Sequence, residues 1–417
     1  MAAWHDLPAA QHAATTGDLG ALIRSARIAA KLTLAEAGAV VGYSAATLSR
    51  YETGQLTDAR AARRIAELLG VPGRLLDGDT GGQGVGEMRR RDVLTGAAGL
   101  ALLPVTSATA ATEGLGAAVF APGDAAPVGL DVLAAQIAAA RADFHGVRFQ
   151  ELAARLPGLL ATVAATRADK PSAEVERLAA DAFNIGVNLL TKLHETGMAW
   201  SLADRALTAA RASGDPYTIA ESTRLAAIVM RRTEHRDGAS QLLIQGADQL
   251  AAHTGLAGQL HAGVYARMLA TAAYTAAVAE DRPTAEGLLA EALTAAERAP
   301  QVAAGFGPLG VASYRISVAR RLGDFGRAVE AAALVDPASI PTADARARYW
   351  EDVALAFWGR GRPESAYRAL LSAEAAAPQE VRFRPWAQDL TLSLLRTDVR
   401  GAMPGLRNFA DRVGVAA

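Results

Sequence analysis

The sequence lacks cysteine, is poor in aromatic residues and carries almost no net charge. The absence of cysteine excludes disulfides, zinc–thiolate sites, iron–sulfur clusters and thiol nucleophiles, and it fits a reducing, cytoplasmic compartment. Aromatic residues make up 5% of a chain that is 51% hydrophobic, and alanine is the most frequent apolar residue. This composition favours closely packed helices over sheets. The formal charge of -1 excludes a polycation that coats nucleic acid but allows a local basic surface.

Clear targeting and membrane signals are also lacking. The first residues, MAAWHDLPAA, do not form the basic start and apolar core of a secretory signal. The segment RRRDVLTGAAGLALLP (89–104) looks like a twin-arginine export signal, but such signals act at the N-terminus and this one follows a whole domain. Its apolar run is broken by Pro104, whereas a membrane span needs about 20 continuous apolar residues. We therefore expect a linker helix here, and no membrane partner.

Shifts in composition divide the chain into four stretches. Its 417 residues exceed the roughly 100–200 residues of one ordinary domain. We expect an N-terminal tail, a compact domain of short helices, a Gly/Ala-rich linker and a region of long helical patterns, at residues 1–17, 18–78, 79–130 and 131–417. The whole chain is predicted to be all-α.

The compact domain carries the most specific local pattern. Thr33 can cap the helix LAEAGAVV, with Glu36 at the capping-box position three residues later. Gly42 ends that helix and Ser44 caps the next, AATLSRYE. Two short helices joined by a turn centred on glycine form a helix-turn-helix unit. Further helices are predicted before Thr33, from Asp58 and after Pro72, which makes five in total.

The residues LTLAEAGAVVGYSAATLSRYETG resemble the phage-repressor-like, or XRE, helix-turn-helix family. The family pattern is L-T-Q-x-x-L-A followed by G-x-S-x-x-T-[IL]-S-x-x-E-x-G. Its most specific elements here are Gly42, Ser44, Thr47, Leu48, Ser49, Glu52 and Gly54. Leu34 stands where the family usually has glutamine, so the phosphate contact of that glutamine is expected to be absent or to be supplied by another residue. The resemblance implies a DNA-binding domain.

The second helix of this unit has the side chains that major-groove binding requires. Such a helix needs small residues at its start and polar side chains one turn later, and Ala45, Ala46 and Ser49 meet that description. Arg50 is the best candidate for base readout, because a guanidinium can pair bidentately with guanine for about 1–3 kcal/mol of discrimination. Phosphate contacts are expected from Thr33, Ser44, Thr53, Lys31 and Arg27. Glu52 is expected to be structural.

The charge of this domain leaves an alternative open. Residues 18–78 contain eight basic and six acidic side chains, a net charge of only +2. Non-specific DNA affinity comes from neutralised phosphates, so one domain with this charge should attract DNA only weakly. A dimer would double the charge that faces the DNA. The alternative is a helix-turn-helix fold that serves protein binding or dimerisation without affinity for DNA.

The C-terminal two-thirds of the chain contains repeated turn-and-helix segments. Their anchor alanines, spaced 38–46 residues apart, are Ala199, Ala239, Ala285, Ala328 and Ala366. The stretches GDFGRAVEA and SAYRALLSAEAAAP resemble tetratricopeptide (TPR) repeats, although the spacing exceeds the usual length of about 34 residues. The predicted fold is therefore an N-terminal five-helix helix-turn-helix domain followed by a TPR-like α-solenoid.

The TPR resemblance implies that the first helix of each hairpin lines a concave surface. Counting back from each anchor brings polar residues to that surface, and the effector-binding candidates are Asn184, Asn188, Lys192, Arg224, Arg231, Arg267 and Tyr274. Asn184 and Asn188 could bracket a peptide backbone, and the cations could take a carboxylate. The same pattern also brings Arg232, Ser317, Arg320, Arg348 and Glu351 to this face. For the arginines, an ordinary solvated helix face remains an equal alternative.

Catalytic and metal-binding patterns are not found. The seven histidines occur singly, and His194-Glu195 lacks the second histidine of a zinc helix. No G-x-S-x-G elbow, Walker loop or paired-carboxylate site stands out. We expect no enzymatic activity, no cofactor and no metal.

The combination of an XRE-like domain with a TPR-like array resembles the peptide-sensing RRNPP regulators and a group of actinobacterial helix-turn-helix proteins. The resemblance implies a sequence-specific transcriptional regulator that binds double-stranded DNA as a homodimer. Its array would sense a peptide, a small molecule or a protein partner. The alternative is a TPR scaffold whose helix-turn-helix domain does not bind DNA. Function inferred from a shared fold is associational.

Overall fold

The computed structural model is entirely helical in the part of the chain that it describes, and it contains no strand there. The described residues are 13, 18–41, 43, 45–52, 59–71, 115–233, 235–299, 306–382, 384–398 and 401–415. The chain divides into two compact units, Met1–Gly99 and Leu100–Ala417. The predicted all-α fold is confirmed. The predicted fifth helix after Pro72 and the segment 89–104 lie outside the described residues.

Four short helices pack around a small core in the described stretches of residues 18–71 in the N-terminal unit. They are α1 (Leu19–Ala29), α2 (Leu34–Val41), α3 (Ala45–Glu52) and α4 (Ala59–Leu68). Leu22, Ile23, Leu48 and Ile65 are fully buried between these helices. Helix α1 approaches α3 closely, since a Cβ atom on Gly20 would lie 2.5 Å from the carbonyl oxygen of Tyr51. The core thus fixes α3 against α1.

The capping box predicted for α2 is confirmed. The Glu36 backbone N–H donates to Oγ1 of Thr33 at 3.2 Å, and the Thr33 N–H donates to Oε2 of Glu36 at 2.8 Å. These reciprocal bonds satisfy donors that a helix start otherwise leaves unpaired. They also lower the pKa of the Glu36 carboxyl, because its ionised form accepts both backbone and side-chain hydrogen bonds from Thr33.

The C-terminal unit is an array of helical hairpins. From residue 130 onward the described helices are α5 (Leu130–His145), α6 (Phe149–Asp169), α7 (Ala173–Lys192), α8 (Thr196–Ser213), α9 (Pro216–Arg232), α10 (Arg236–Thr254), α11 (Gln259–Val278), α12 (Arg282–Ala296), α13 (Pro308–Arg321), α14 (Phe325–Ala333), α15 (Ala343–Gly359), α16 (Pro363–Ala376), α17 (Pro378–Arg382), α18 (Pro385–Thr397) and α19 (Leu406–Arg412). A 3₁₀ turn, Pro337–Ser339, precedes α15. Even-numbered helices α8 to α16 each pack on the odd-numbered helix before them.

The anchor alanines of the repeats are packing positions. Each lies near the start of the second helix of a hairpin, and all five of them (Ala199, Ala239, Ala285, Ala328 and Ala366) are buried. A methyl side chain there allows two helices to approach closely without leaving a void. The repeat spacing therefore predicted the hairpins correctly.

The odd-numbered helices form a closed inner ring. Each of α5, α7, α9, α11, α13 and α15 contacts the next one, and α15 returns to contact α5. His145 on α5 lies 3.1 Å from Asp344 on α15, and the backbone N–H of Phe149 donates to Gln379 at 2.9 Å. Ala347 and Ala377 belong to the same buried cluster as the first hairpins. The two ends of the array therefore meet, so the polar faces of the inner helices share one interior.

The array begins earlier than the sequence predicts. Residues 115–120, expected to be linker, are helical, and their buried side chains Leu115, Ala118 and Val119 join the core of the first hairpins. Among the described residues, no helix is both long enough and apolar enough to cross a membrane, and no group of three or more metal-ligating side chains occurs.

Candidate nucleic-acid interface and polar interior

The helix α3 is held in place by a buried ion pair. Arg27 on α1 donates twice to the carboxylate of Glu52, the last residue of α3, at 2.5 Å from Nε and 2.7 Å from Nη2. Its Nη1 donates to the carbonyl oxygen of Leu32 at 3.1 Å. The side chains of Arg27 and Glu52 are only 14% and 5% exposed, and hydrogen bonding to Glu52 raises the pKa of Arg27. The pair ties α3 to α1 and to the segment that precedes α2.

This ion pair changes the role expected for Arg27. The sequence placed Arg27 among the phosphate contacts, but its guanidinium is already engaged by Glu52 and Leu32. Reaching a phosphate would leave Glu52 as a buried carboxylate without a partner, which is costly. We therefore assign Arg27 to positioning α3. The structural role expected for Glu52 agrees with this contact.

One side of α3 faces the core and the other faces away from it. Leu48 is fully buried, and Tyr51 packs edge-on against Tyr43 at 5.9 Å between ring centroids. With 3.6 residues per turn, Arg50 lies on the side of the helix opposite to Leu48. The side chains of Ser49 and Arg50 are both half-buried. Ala45 and Ala46 form the first turn of the same helix.

The start of α2 presents the other predicted contacts. Lys31 and Thr33 are exposed and lie within three residues of the first residue of α2, Leu34. Lys31 adopts a left-handed backbone conformation with φ 57°, where the chain turns from α1 toward α2. The predicted contacts Ser44 and Thr53 lie outside the described residues.

Two short helices, α2 and α3, packed on each other and held against α1, define the helix-turn-helix class. Residues 18–77 match a family described as helix-turn-helix domain, which supports the assignment of the N-terminal unit. No curated protein and no solved structure shows a significant match to the chain.

The asparagines predicted to bracket a peptide have a different arrangement in the interior of the array. Asn184 is buried, and its Nδ2 donates to Oγ of Ser222 at 2.9 Å, which joins α7 to α9. Its Oδ1 is buried without a hydrogen-bond partner. Asn188, one turn later, is half-buried. The amide of Asn184 thus has Oδ1 and the second N–H of Nδ2 left for a ligand.

Two of the predicted arginines belong to a compensated ion-pair network. Arg224 is buried and donates to both carboxylate oxygens of Glu221, at 2.9 and 2.6 Å. Arg267 on α11 approaches the same carboxylate at 3.4 Å. Burial opposes ionisation of Glu221, but the charges of Arg224 and Arg267 outweigh it and lower the pKa of Glu221 to about 2. Glu221 therefore already occupies the place of an anionic ligand. Glu221 is not among the predicted site residues, although its spacing of three residues from Arg224 is a recognisable helix pairing.

The remaining candidates surround Tyr274 on α11. The guanidinium carbons of Arg231 and Arg348 lie 4.9 and 5.3 Å from the centroid of its ring. Arg231 also donates from Nη1 to Oγ1 of Thr275 at 3.0 Å. Lys192, at the end of α7, instead pairs with the buried Glu380 at 2.6 Å. The interior thus brings Arg231 and Tyr274 together and places Lys192 at the contact between the ends of the array.

Asp352 is a second interior carboxylate that the sequence analysis missed. It accepts from Nε of Arg320 at 2.5 Å and from Ser317, and it lies 3.4 Å from Nε of Arg348. Burial opposes its ionisation, but the two arginines outweigh burial and lower its pKa. Its spacing of four residues from Arg348 is again a helix-face pairing that the sequence contains.

Proposed function

We propose that the chain is a sequence-specific DNA-binding transcriptional regulator whose helix α3 enters the major groove. The observation that carries this proposal is the Arg27–Glu52 pair, which fixes α3 with Arg50 on the side away from the core. A helix that is positioned before binding pays less ordering entropy on the DNA. In this arrangement Arg50 reads a base edge, Ser49 makes a polar contact, and Ala45 and Ala46 meet thymine methyl groups.

Phosphate contacts in this proposal come from the surroundings of α2. Lys31 and Thr33 are exposed there, and the amides at the start of a helix attract anions. Ser44 and Thr53 complete the proposed set. The proposal includes a homodimer, because a net charge of only +2 on residues 18–78 gives one domain few phosphate contacts and two domains on one duplex double them.

The TPR-like array is the proposed sensor. A ligand in its interior would regulate DNA binding if it bound one conformation of the array better than another. In a dimer only one separation of the two α3 helices fits successive major grooves about 34 Å apart. The resemblance to RRNPP regulators supports a peptide or small-molecule effector, and an array of hairpins also suits a protein partner. The low charge of the N-terminal domain favours, as second candidate, a scaffold that does not bind DNA.

Selection from a random pool of duplexes tests the proposal. The full chain is incubated with the pool at low salt, and the retained DNA is sequenced over several rounds. We expect an enriched motif, with paired half-sites about one duplex turn apart. Arg64→Ala is the matched control, since it removes one exposed arginine of α4 and should leave the motif unchanged. Retention of no duplex, or of duplexes without a common motif, contradicts the proposal and favours the scaffold.

A further inference from the structure

A group of four arginines in the array interior has too few carboxylate partners. We name it the arginine cluster, and its members are Arg231, Arg232, Arg348 and Arg384. Arg231 and Arg232 are the last two residues of α9, Arg348 lies on α15, and Arg384 caps α18. Tyr274 joins the first and third of them through its ring. The cluster therefore gathers cations from three separate elements.

The carboxylates near the cluster are shared with other cations. Asp352 serves Arg320 as well as Arg348, and Glu380 serves Lys192 as well as Arg384. The third carboxylate that acts on the group is Glu351, which stabilises the charged form of Arg232, Arg320 and Arg348. Asp344 also acts on Lys192. Six cationic side chains thus face four carboxylates, and the excess is about two positive charges.

The guanidinium groups that lack partners can be identified. Within the described part of the chain, Arg232 has neither a hydrogen bond nor an ion pair, and Arg231 has only its bond to Thr275 and its ring contact. Nε of Arg384 is buried without a hydrogen-bond partner, although that side chain is 12% exposed. The surrounding array partly desolvates the guanidinium of Arg232, which lowers its pKa even though the residue is exposed, and repulsion from Arg384 and Arg348 lowers it further. Arg224 and Arg267 share the carboxylate of Glu221, whereas the arginine cluster has no carboxylate in the corresponding place.

The cluster is both oriented and open to solvent. The ring of Tyr274 holds the guanidinium groups of Arg231 and Arg348 by cation–π contacts, which leave most of their N–H donors unused. Arg232 is exposed, and the side chain of Arg348 is 43% exposed. A ligand can therefore reach donors whose positions are largely set before it binds.

We propose that the arginine cluster binds an anion that carries a phosphate ester or a diphosphate group. An excess of about two positive charges matches a group with two or more negative charges better than a single carboxylate. Several guanidinium groups on different elements also suit the tetrahedral oxygens of phosphate, which accept paired N–H bonds from more than one direction. This inference deepens the effector-sensing part of the proposed function and rests on it, since it names the class of effector.

Titration calorimetry of the full chain without DNA tests the inference, with inorganic pyrophosphate as the probe. We expect saturable binding that weakens as salt rises. Citrate, which carries its charges on carboxylates, should bind at least about tenfold more weakly because its geometry fits guanidinium pairs on several elements less well. Equal binding of citrate and pyrophosphate would overturn the assignment to phosphate, and no heat change with pyrophosphate would overturn the site.

Two variants locate the binding. Arg232→Gln removes an exposed cation that has no partner, so the fold should persist while pyrophosphate affinity falls about tenfold or more. Arg327 is an exposed arginine of α14 that pairs with Glu286 at 3.3 Å. The variant Arg327→Gln removes it and should bind pyrophosphate with the affinity of the unmodified chain. Circular dichroism checks that both variants fold. Unchanged affinity in Arg232→Gln, or equal losses in both variants, would refute the site.

The outcomes separate this inference from the proposed function. Pyrophosphate binding by a chain that retains no duplex would support the site and contradict the DNA-binding proposal. Selection of a DNA motif by a chain without affinity for pyrophosphate would support the DNA-binding proposal and contradict the anion site.

Discussion

Replacing Glu52 by glutamine should loosen the attachment of α3 to α1. The substitution keeps the size of the side chain but removes the charge that faces Arg27 through two hydrogen bonds. Arg27 would remain as a cation that is only 14% exposed. Loss of one partner of a buried pair typically costs about 3–5 kcal/mol. We take about 3 kcal/mol here, because the amide oxygen of the new side chain would still accept one hydrogen bond.

Hydrogen exchange of backbone amides in the full chain measures this effect locally. Because a change of 1.4 kcal/mol corresponds to a tenfold change in an equilibrium, about 3 kcal/mol should reduce protection of the amides in α1 and α3 by about 100-fold. Amides of the array, such as those of α11, provide the internal control because they belong to the other compact unit. A loss of protection below about threefold would refute the claim that this pair holds α3.

A double substitution separates the two roles considered for Arg27. Arg27→Met with Glu52→Leu replaces the ion pair by apolar side chains of similar size, which often restores stability. If Arg27 only positions α3, the double variant should recover both amide protection and DNA binding. Recovery of protection without DNA binding would show that the guanidinium of Arg27 contacts a phosphate, and our assignment would be wrong.

Three further predictions concern the interface and the interior. Arg50→Ala should weaken binding to the preferred DNA sequence alone, by about 1–3 kcal/mol of binding free energy. Lys31→Ala should weaken binding to all duplexes and reduce the slope of log affinity against log salt concentration by about one. Equal effects of the two variants in mobility shifts would make Arg50 another phosphate contact. Asn184→Ala removes the bond to Ser222 and should lower the free energy of array unfolding by about 1 kcal/mol in urea titrations, while the matched Asn188→Ala should cost less; the reverse order would contradict the geometry. The pKa of Glu221 lies near 2 in the folded array and near 4.5 when unfolded, so its stabilising charge is present above pH 4.5 and is lost as pH falls toward 2. Thermal unfolding of Glu221→Gln should therefore vary less with pH across that window, and an unchanged pH dependence would contradict the role of Glu221.

The features that sequence reasoning predicted correctly depend on local spacing. The capping box of Thr33 and Glu36 spans three residues, and the buried anchor alanines repeat with the hairpins. Both follow from helix geometry without knowledge of the tertiary fold. The pairs Glu221–Arg224 and Arg348–Asp352 have similar local spacing, so they were open to prediction as well.

The features that were missed depend on distant packing. Arg27 and Glu52 are 25 residues apart, and charge alone made Arg27 resemble a phosphate contact. His145 and Asp344, which join the ends of the array, are 199 residues apart. No periodicity in one sequence indicates that a row of hairpins closes after six inner helices. Without closure, the arginines would be expected on an open concave face rather than around one interior.

If the arginine cluster binds an anion as we propose, closure of the ring offers that anion a route to regulation. Arg384 donates to the carbonyl oxygen of Lys192 at 3.5 Å, and both side chains contact Glu380, so the cluster adjoins the contact between the first and last parts of the array. An anion that engages Arg232 and Arg384 together would draw the end of α9 toward the segment before α18. It would then stabilise the closed ring by the difference between its affinities for the closed and open forms. An anion with equal affinity for both forms would shift nothing, however tightly it bound. Regulation by this ligand therefore requires that Arg384, which depends on closure for its position, contribute to binding.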